Sequence, residues 1–104
     1  MNKIVLLGRL VANPELKETS SKNSYTRFTI AVNRAIKDET DFINCIAWNK
    51  QAELICKYFK KGERIALDGR LTINNFKDKD GNNRESAEVV VDNFEFIELK
   101  KKED

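Results

Sequence analysis

The sequence predicts an all-β domain, a small Greek-key barrel of five strands with one α-helix between the third and fourth strands. Two observations carry this prediction. Five segments show the apolar runs and alternating patterns that are typical of strands, and one segment shows a helical period. The chain has 104 residues, of which 40% are hydrophobic, and a formal net charge of +2. This length allows one domain with one core.

The first two predicted strands lie in the first third of the chain. Ile4 to Val11 is a β-rich run, and it ends before Pro14 because proline cannot donate a hydrogen bond to a strand ladder. Tyr25 to Asn33 is the second strand, in which apolar and more polar residues alternate. The residues predicted for its buried face are Phe28, Ile30 and Val32.

The third predicted strand runs from Asp41 to Trp48, after a short polar connection at Lys37 to Thr40 that favours a hairpin. Both faces of this strand are largely apolar. One face carries Phe42, Asn44, Ile46 and Trp48, and the other carries Ile43, Cys45 and Ala47. A lone small barrel has only one interior, so we expect a partner subunit or a ligand to cover the second face.

The helical period follows Trp48. Apolar residues recur with the spacing i, i+3, i+4, i+7, which indicates one buried face of a helix. These residues are Ala52, Ile55, Cys56 and Phe59. Asn49 is the expected N-cap and Gly62 the expected stop, with Lys57, Lys60 and Lys61 near the C-terminal end of the helix dipole.

The fourth predicted strand, Glu63 to Phe76, turns at Asp78 to Arg84 into the fifth, Ser86 to Leu99. The apolar face predicted for the fourth strand consists of Ile65, Leu67, Leu71 and Ile73. Five strands with one helix after the third are the order of an OB-fold, a partly open barrel used for oligonucleotides and oligosaccharides. We therefore predict an OB-fold domain over residues 1–99 and a short, charged, disordered tail at 100–104.

Several classes of function are excluded by composition. The chain has no histidine, so catalysis by Ser-His-Asp or Cys-His groups and histidine metal sites are excluded. Cys45 and Cys56 do not make a C-x-x-C pair, and we expect both to be buried thiols in a reducing compartment. The carboxylates form no evident pair, and the Asp78 to Asn82 segment lacks the spacing of a calcium loop. The sequence thus predicts a protein that is not an enzyme and has no cofactor or metal.

The start of the chain does not predict export. The apolar run at Ile4 to Leu7 is too short for a signal peptide or a membrane span. We expect a cytoplasmic protein with no membrane partner.

Aromatic side chains on a polar sheet face supply the functional signal. Trp48 and Phe42 share the second face of the third strand, and Phe76 falls on the face of the fourth strand that holds Arg64 and Arg70. Exposed aromatics beside cations are typical of sites for single-stranded nucleic acid, where bases stack on rings and cations neutralise phosphates. The candidate cations are Lys3, Arg9, Lys17, Arg27, Arg34, Lys50, Arg70 and Lys77. The alternatives are that Trp48 packs under the helix and that Phe76 folds back onto the core.

Motifs along most of the chain add to this reading. They are Met1-Asn2-Lys3, Gly8, Leu10 and Pro14-Glu15 at the start, Phe28 to Arg34 in the second strand, Asp41 to Trp48, Gln51-Ala52-Glu53 and Lys60-Lys61-Gly62 in the third strand and helix, and Asp68-Gly69-Arg70-Leu71, Asp80-Gly81-Asn82 and Glu88 to Val91 beyond them. Together they span about residues 1 to 99, and this combination resembles the bacterial single-stranded DNA-binding proteins.

The resemblance implies an OB-fold homotetramer that wraps single-stranded DNA without sequence preference during replication, recombination and repair, associated with the nucleoid. Trp48, Phe42 and Phe76 match the family's base-stacking aromatics. Ile36 stands where the family usually has another aromatic, and the Lys37 to Thr40 connection is shorter than the usual hairpin, so weaker binding or fewer nucleotides per subunit are expected.

The resemblance also bears on partners. The family's acidic, hydrophobic tip recruits replication and repair proteins, and no such tip stands at Lys100 to Asp104, so this recruitment is not expected. The alternative function is an accessory OB-fold protein of a replication or primosome complex, in which the same aromatics form a protein interface. A salt series of DNA binding separates the two, because only the DNA-binding function predicts a salt-dependent affinity.

Overall fold

The computed structural model of the chain describes residues 1–36 and 38–97, which fold into six strands and one helix. The elements are β1 (Ile4–Leu10), β2 (Lys17–Glu18), β3 (Ser24–Asn33), β4 (Thr40–Trp48), α1 (Asn49–Tyr58), β5 (Arg64–Lys77) and β6 (Asn83–Phe96). The predicted order of five strands with one helix after the third is confirmed, and the two-residue β2 is an addition. The predicted end of the last strand at Leu99 and the tail at 100–104 lie outside the described residues.

The strands form one sheet in the order β1-β5-β6-β4-β3-β2, and β1 also pairs with β3. The β1–β3 pairing joins Arg9 to Ala31 and Leu10 to Ile30, and it closes the sheet into a barrel. The pairing of β4 with β6, at Cys45 with Val89, is parallel, whereas the other pairings are antiparallel. This closed Greek-key order is that of the predicted OB-fold.

The inward side chains of the barrel form one core with the helix. The most deeply buried large side chains are Leu10, Ile30, Ile55, Ile65 and Val89. On α1, Ala52 and Ile55 are buried, and Phe59 follows at the end of the helix. These residues keep the predicted period, whereas Cys56 is only half-buried because it lies at the edge of that stripe.

The ends of α1 differ from the prediction. Trp48, not Asn49, is the N-cap, and no side chain caps the helix. Asn49 lies inside the first turn with φ +50°, and its Oδ1 instead accepts a hydrogen bond from the Ser24 N–H at 3.1 Å. The Asn49 side chain therefore links α1 to β3 and does not cap the helix. The helix ends at Tyr58, and Gly62, with φ +89°, makes the turn into β5.

The prediction that Leu71 and Ile73 are buried is wrong, because these side chains are 40% and 51% exposed. The last residue of β5 to pair with β1 is Gly69, and beyond it β5 pairs with β6 alone. Residues 71–88, which we call the hairpin arm, therefore extend from the barrel. Alternation correctly assigns these two residues to one face, but no element of residues 1–36 and 38–97 covers that face.

A β-bulge marks the base of the hairpin arm. Asp68 pairs with Asn93 but Gly69 pairs with Val91, so Asp92 is the extra residue. A side chain at Gly69 would collide with the carbonyl oxygen of Val90, so this close approach requires glycine. The bulge also explains why the inward positions of β6 change from Val89 and Val91 to Phe94, which packs against the core.

Candidate nucleic-acid interface

Phe42 and Trp48 lie on the outer face of β4. Cys45 and Ala47 point into the core, so the alternating side chains point outward, and Phe42 is 67% exposed and Trp48 39% exposed. The Trp48 ring contacts a ring on β3 and is not part of the core cluster. The alternative in which Trp48 packs beneath the helix is therefore not the arrangement observed.

Tyr25 is a further aromatic residue on this outer face, and it is not among the candidates selected from the sequence. It lies directly opposite Trp48 in the β3–β4 ladder, and the two ring centroids are 5.4 Å apart with their planes at 41°. The available signal was alternation on the second predicted strand, which puts Tyr25 on the same outer face as Arg27. The register that brings Tyr25 to Trp48 is a tertiary feature and could not be predicted from the strand pattern.

Phe76 lies near the tip of the hairpin arm and is 50% exposed. It does not fold back onto the core, because it is paired with Arg84 on the other strand of the arm. Together with Asn75, Lys77 and Asn83 it lines a cavity of about 380 Å³. An aromatic ring, a cation and two amides thus lie side by side at this end of the molecule.

The tip of the arm is organised by one carboxylate. Asp78 accepts hydrogen bonds from the N–H groups of Asp80 and Asn82, at 3.0 and 2.9 Å, and from Nε of Arg84 at 2.7 Å. The Arg84 hydrogen bond, followed by those from the backbone, lowers the pKa of Asp78 below its usual value. The turn that follows Phe76 is therefore held in one shape, with Gly81 at φ +82°.

A cleft with a mixed polar and apolar lining lies between the β3–β4 surface and the hairpin arm. Its volume is about 310 Å³, and its polar lining residues are Arg27, Thr29, Asn44, Asn74, Ser86 and Glu88. Thr29 and Asn44 are cross-strand neighbours joined by a hydrogen bond of 2.9 Å. The cleft connects the face that carries Phe42 and Trp48 with the strands of the arm.

Three of the candidate lysines are exposed and form no ion pair with any described residue. Lys17 is on β2 and lies opposite Tyr25 of β3. Lys50 follows Trp48 at the start of α1, and Lys77 follows Phe76 at the end of β5. Each is a cation next to an aromatic residue in the sequence or in the strand ladder, and none has a carboxylate partner among the described residues.

The other candidate cations are engaged with protein groups. Nε of Arg27 lies 3.0 Å from Glu88, and its Cζ lies 5.7 Å from the centre of the Tyr25 ring. Arg70 and Lys3 lie 3.3 Å from Asp92 and Asp68, respectively. Arg9 lies in line with Phe42 across β3, because both pair with Ala31. Its Nη1 donates a hydrogen bond to the carbonyl oxygen of Gly62 at 2.9 Å.

Arg34 is the candidate cation whose charge is most fully neutralised. It donates two hydrogen bonds to Asp41, at 2.9 and 3.0 Å, and one to Glu39 at 2.8 Å. These contacts raise the pKa of Arg34 and lower the pKa of Asp41, with the hydrogen bond between the two side chains as the main cause. The pair fixes the ends of the β3–β4 connection, and a phosphate at this place would have to compete with two carboxylates.

Two further observations concern thiol chemistry and metal binding. Burial raises the pKa of the Cys45 thiol to about 12, so this thiol stays protonated at neutral pH and is a poor nucleophile. Over residues 1–36 and 38–97 no cluster of cysteine and carboxylate side chains is suited to a metal ion. In the same ranges no helix is both long and apolar enough to cross a membrane.

Comparison with known proteins gives a consistent set of relatives. Residues 1–97 match the Single-strand binding protein family. The chain is 45% identical over 100 residues to the Single-stranded DNA-binding protein of Clostridium perfringens, covering 94% of this chain and 67% of the relative. It is 41% identical over 103 residues to the protein of that name from Bacillus cereus, covering 94% and 61%.

A shorter relative matches over almost its whole length. Single-stranded DNA-binding protein 1 of Clostridium acetobutylicum is 41% identical over 107 residues, covering 97% of each chain. By contrast, the chain spans only 60 to 67% of the length of several others, including those from Clostridium perfringens and Bacillus anthracis.

Proposed function

The chain belongs to the single-strand binding protein family, and from this membership we propose that it binds and protects single-stranded DNA without sequence preference. Such binding serves the replication, recombination and repair of DNA. Members of this family are non-catalytic DNA-binding proteins, and the chain is not an enzyme. The observation that carries the proposal is the pair of exposed rings, Phe42 and Trp48, on one outer strand face.

Stacking is the proposed source of affinity. Every base has a π-face, so stacking on Trp48, Phe42 and Phe76 requires no particular sequence, and each stacked base is worth about 1–3 kcal/mol. Phe42 and Trp48 are six residues apart on one strand, which corresponds to about 20 Å. Such a separation suits a strand of several nucleotides that crosses the face. A duplex hides the faces of its bases, which explains a preference for single strands.

Phosphate neutralisation is the second proposed part of the mechanism. The exposed lysines Lys17, Lys50 and Lys77 are the strongest candidates, because none forms an ion pair with a described residue. Three phosphate contacts to a single strand give a slope of about −2 in a plot of log affinity against log salt concentration. The remaining proposed contacts, which are weaker because each is engaged with a protein group, are Lys3, Arg9, Arg27, Arg34 and Arg70.

The oligomeric state is part of the proposal. Val5 and Leu7 project from the outer face of β1, and both are exposed. Val5 also lines a shallow cavity with Ala66 on β5 and Phe94 on β6. Exposed apolar side chains such as Val5 and Leu7 suit an interface between subunits, and we assign them to a homo-oligomer, with a homotetramer as the expected form. We further propose that the DNA-binding domain spans residues 1–99 and acts in the cytoplasm at the nucleoid.

The direct test is a titration with oligo-dT at two salt concentrations, with duplex DNA and RNA of equal length as comparisons. We expect quenching of the Trp48 fluorescence and an affinity that falls with salt. The Trp48→Ala protein, followed by the anisotropy of labelled DNA, should bind about 5- to 150-fold more weakly, which corresponds to one lost stack. Absence of quenching at low salt together with unchanged affinity of Trp48→Ala would contradict the stacking mechanism.

The accessory OB-fold function is not favoured by the family or by the relatives' names. The same experiment addresses it. A dimer in light scattering without salt-dependent DNA affinity would support it.

A further inference from the structure

A row of three side chains crosses β4, β3 and β2 on the outer face. Trp48 lies directly opposite Tyr25, and Tyr25 lies directly opposite Lys17. Directly opposed residues of antiparallel strands project from the same face with their Cβ atoms about 4.5–5.5 Å apart. The aromatic surface that begins at Trp48 therefore continues across β3 and ends at a cation on the outer strand.

Tyr25 is placed to add ring surface rather than only to fill space. Its ring centre is 5.4 Å from that of Trp48, with the planes tilted by 41°, and its side chain is only half-buried. Arg27, two residues along the same strand, places its Cζ 5.7 Å from the Tyr25 ring centre. Tyr25 thus lies between an indole ring and a guanidinium group.

A separate cavity opens beside this row. It has a volume of about 180 Å³ and is lined by Asn13, Glu15, Lys17, Tyr25 and Arg27. The wall that carries Asn13 is fixed, because Asn13 Oδ1 accepts a hydrogen bond from the Lys61 N–H at 2.7 Å. The lining includes two cations and one carboxylate, and Lys17 forms no ion pair with a described residue.

We propose that this cavity is a further nucleotide subsite, which receives the nucleotide next to the one stacked on Trp48. The base packs against the Tyr25 ring, and its phosphate is bound by Lys17 and Arg27. Glu15 opposes the phosphate and limits the affinity of the subsite. The inference rests on the proposed function and adds to it one binding residue, Tyr25, and the place where the strand crosses from β4 to β2.

The experiment is a length series of labelled oligo-dT, measured by anisotropy with the wild-type protein and with Tyr25→Ala. In the wild type, affinity should rise with each added nucleotide and become constant once the oligonucleotide fills the binding face. For Tyr25→Ala we expect wild-type affinity for the shortest oligonucleotides. Its affinity should become constant at a length about one nucleotide shorter, at a value about 5- to 150-fold lower than that of the wild type. Tyr25→Phe keeps the ring and should keep the wild-type series.

Charge variants test the phosphate part of the subsite independently of Tyr25. Lys17→Gln should reduce the magnitude of the salt slope by about 0.7, the value for one phosphate contact to a single strand. Lys22→Gln is the matched control, because Lys22 lies in the connection between β2 and β3 but does not line the cavity, and its slope should not change. Glu15→Gln removes the opposing carboxylate and should tighten binding.

The outcomes separate this inference from the proposed function. If Tyr25→Ala weakens binding equally at every length, or at none, Tyr25 only supports Trp48 or has no role, and the subsite is overturned. If Lys17→Gln leaves the salt slope unchanged, the phosphate contact is overturned. Both results leave the proposed function intact as long as Trp48→Ala weakens binding. If Trp48→Ala also binds as the wild type does, the proposed function itself fails.

Discussion

Arg27 on β3 and Glu88 on β6 form an ion pair that crosses β4, with Nε of Arg27 3.0 Å from the Glu88 carboxylate. Ile46 lies between them in the sheet, opposite Arg27 on one side and paired on the other with Val90, two residues beyond Glu88. Ile46 is on the outer face of β4 and is nevertheless buried. The ion pair thus spans the strand that carries this buried apolar residue and joins the outer face of β3 to the base of the hairpin arm.

The same ion pair predicts a variant with stronger DNA binding. Glu88→Gln removes a carboxylate from the cleft and frees Arg27 for a phosphate, so affinity should rise severalfold and the salt slope should steepen by about 0.7. Because Arg27 is largely exposed, the loss of folding stability should stay below about 1 kcal/mol. The measurements are a salt series of oligo-dT binding and urea unfolding.

Glu53→Gln is the matched control for this prediction, since Glu53 is an exposed carboxylate on α1. It changes the net charge by the same amount away from the cleft. Equal gains in affinity for the two variants would show that Glu88 acts only through net charge.

Asp78 predicts an acid-sensitive hairpin arm. A carboxyl group whose pKa is lower in the folded than in the unfolded state adds stability that is fully present above the unfolded pKa and is lost as the pH falls through the folded pKa. The pKa of Asp78 is lowered from 3.8 by Arg84 and by backbone N–H groups. We expect Asp78→Asn to loosen the arm at neutral pH, and its difference from the wild type to shrink as the pH falls below about 4.

Amide NMR signals of the arm, followed through urea unfolding at several pH values, provide the measurement. Asp80→Asn is the control in the same turn, because none of the described hydrogen bonds uses the Asp80 side chain. A difference between Asp78→Asn and the wild type that stays constant down to the lowest pH would refute the prediction.

The two cysteines should differ sharply in reactivity. Both are free, but Cys45 is buried in the core and Cys56 is half-buried on α1. Desolvation, with a smaller effect of Glu88, raises the pKa of Cys45 to about 12, so it has almost no thiolate at neutral pH. A thiol reagent should therefore modify one group in the native protein, at Cys56, and a second only on unfolding. Cys56→Ser identifies the reactive group, and rapid native labelling of that variant would contradict the prediction.

Gly69→Ala should destabilise the barrel. The added methyl group meets the Val90 carbonyl at the bulge, and relief requires the backbone of β5 or β6 to move. Overpacking of this kind costs about 1–3 kcal/mol, which urea unfolding would measure. Ser86→Ala on the exposed part of β6 is a control of similar size, and an equal midpoint for both variants would show that the bulge tolerates a side chain.

The sequence predicted the parts of the fold that depend on local period. Alternation predicted that Phe42 and Trp48 share one face of β4, and the order of the strands and the helix predicted the barrel. Alternation does not reveal whether another element covers a face, which is why Leu71 and Ile73 were expected in the core. Asn49 was expected to cap α1 because its residue type is common there, but its side chain bonds to Ser24 instead.

The candidate site was also predictable only in part. Trp48 and Phe76 could be selected because they are aromatic and because alternation places them on an outward strand face. The partners of the cations, in contrast, depend on tertiary contacts. Arg34, for example, is bound by Asp41 and Glu39 across a connection whose shape the sequence pattern does not give. Tyr25 gains its significance only from the register of β3 with β4.

The closure of the barrel also sets how the chain reaches this structure. β1 is made first, but most of its pairing partners are on β5, where Ile4 meets Gly69 and Arg9 meets Arg64. Its ladder pairing with β3 consists of two residue pairs, Arg9 with Ala31 and Leu10 with Ile30. Most hydrogen bonds of β1 therefore form only after a loop of more than fifty residues has closed. A fold rich in such distant pairings has a high contact order and should fold in milliseconds to seconds.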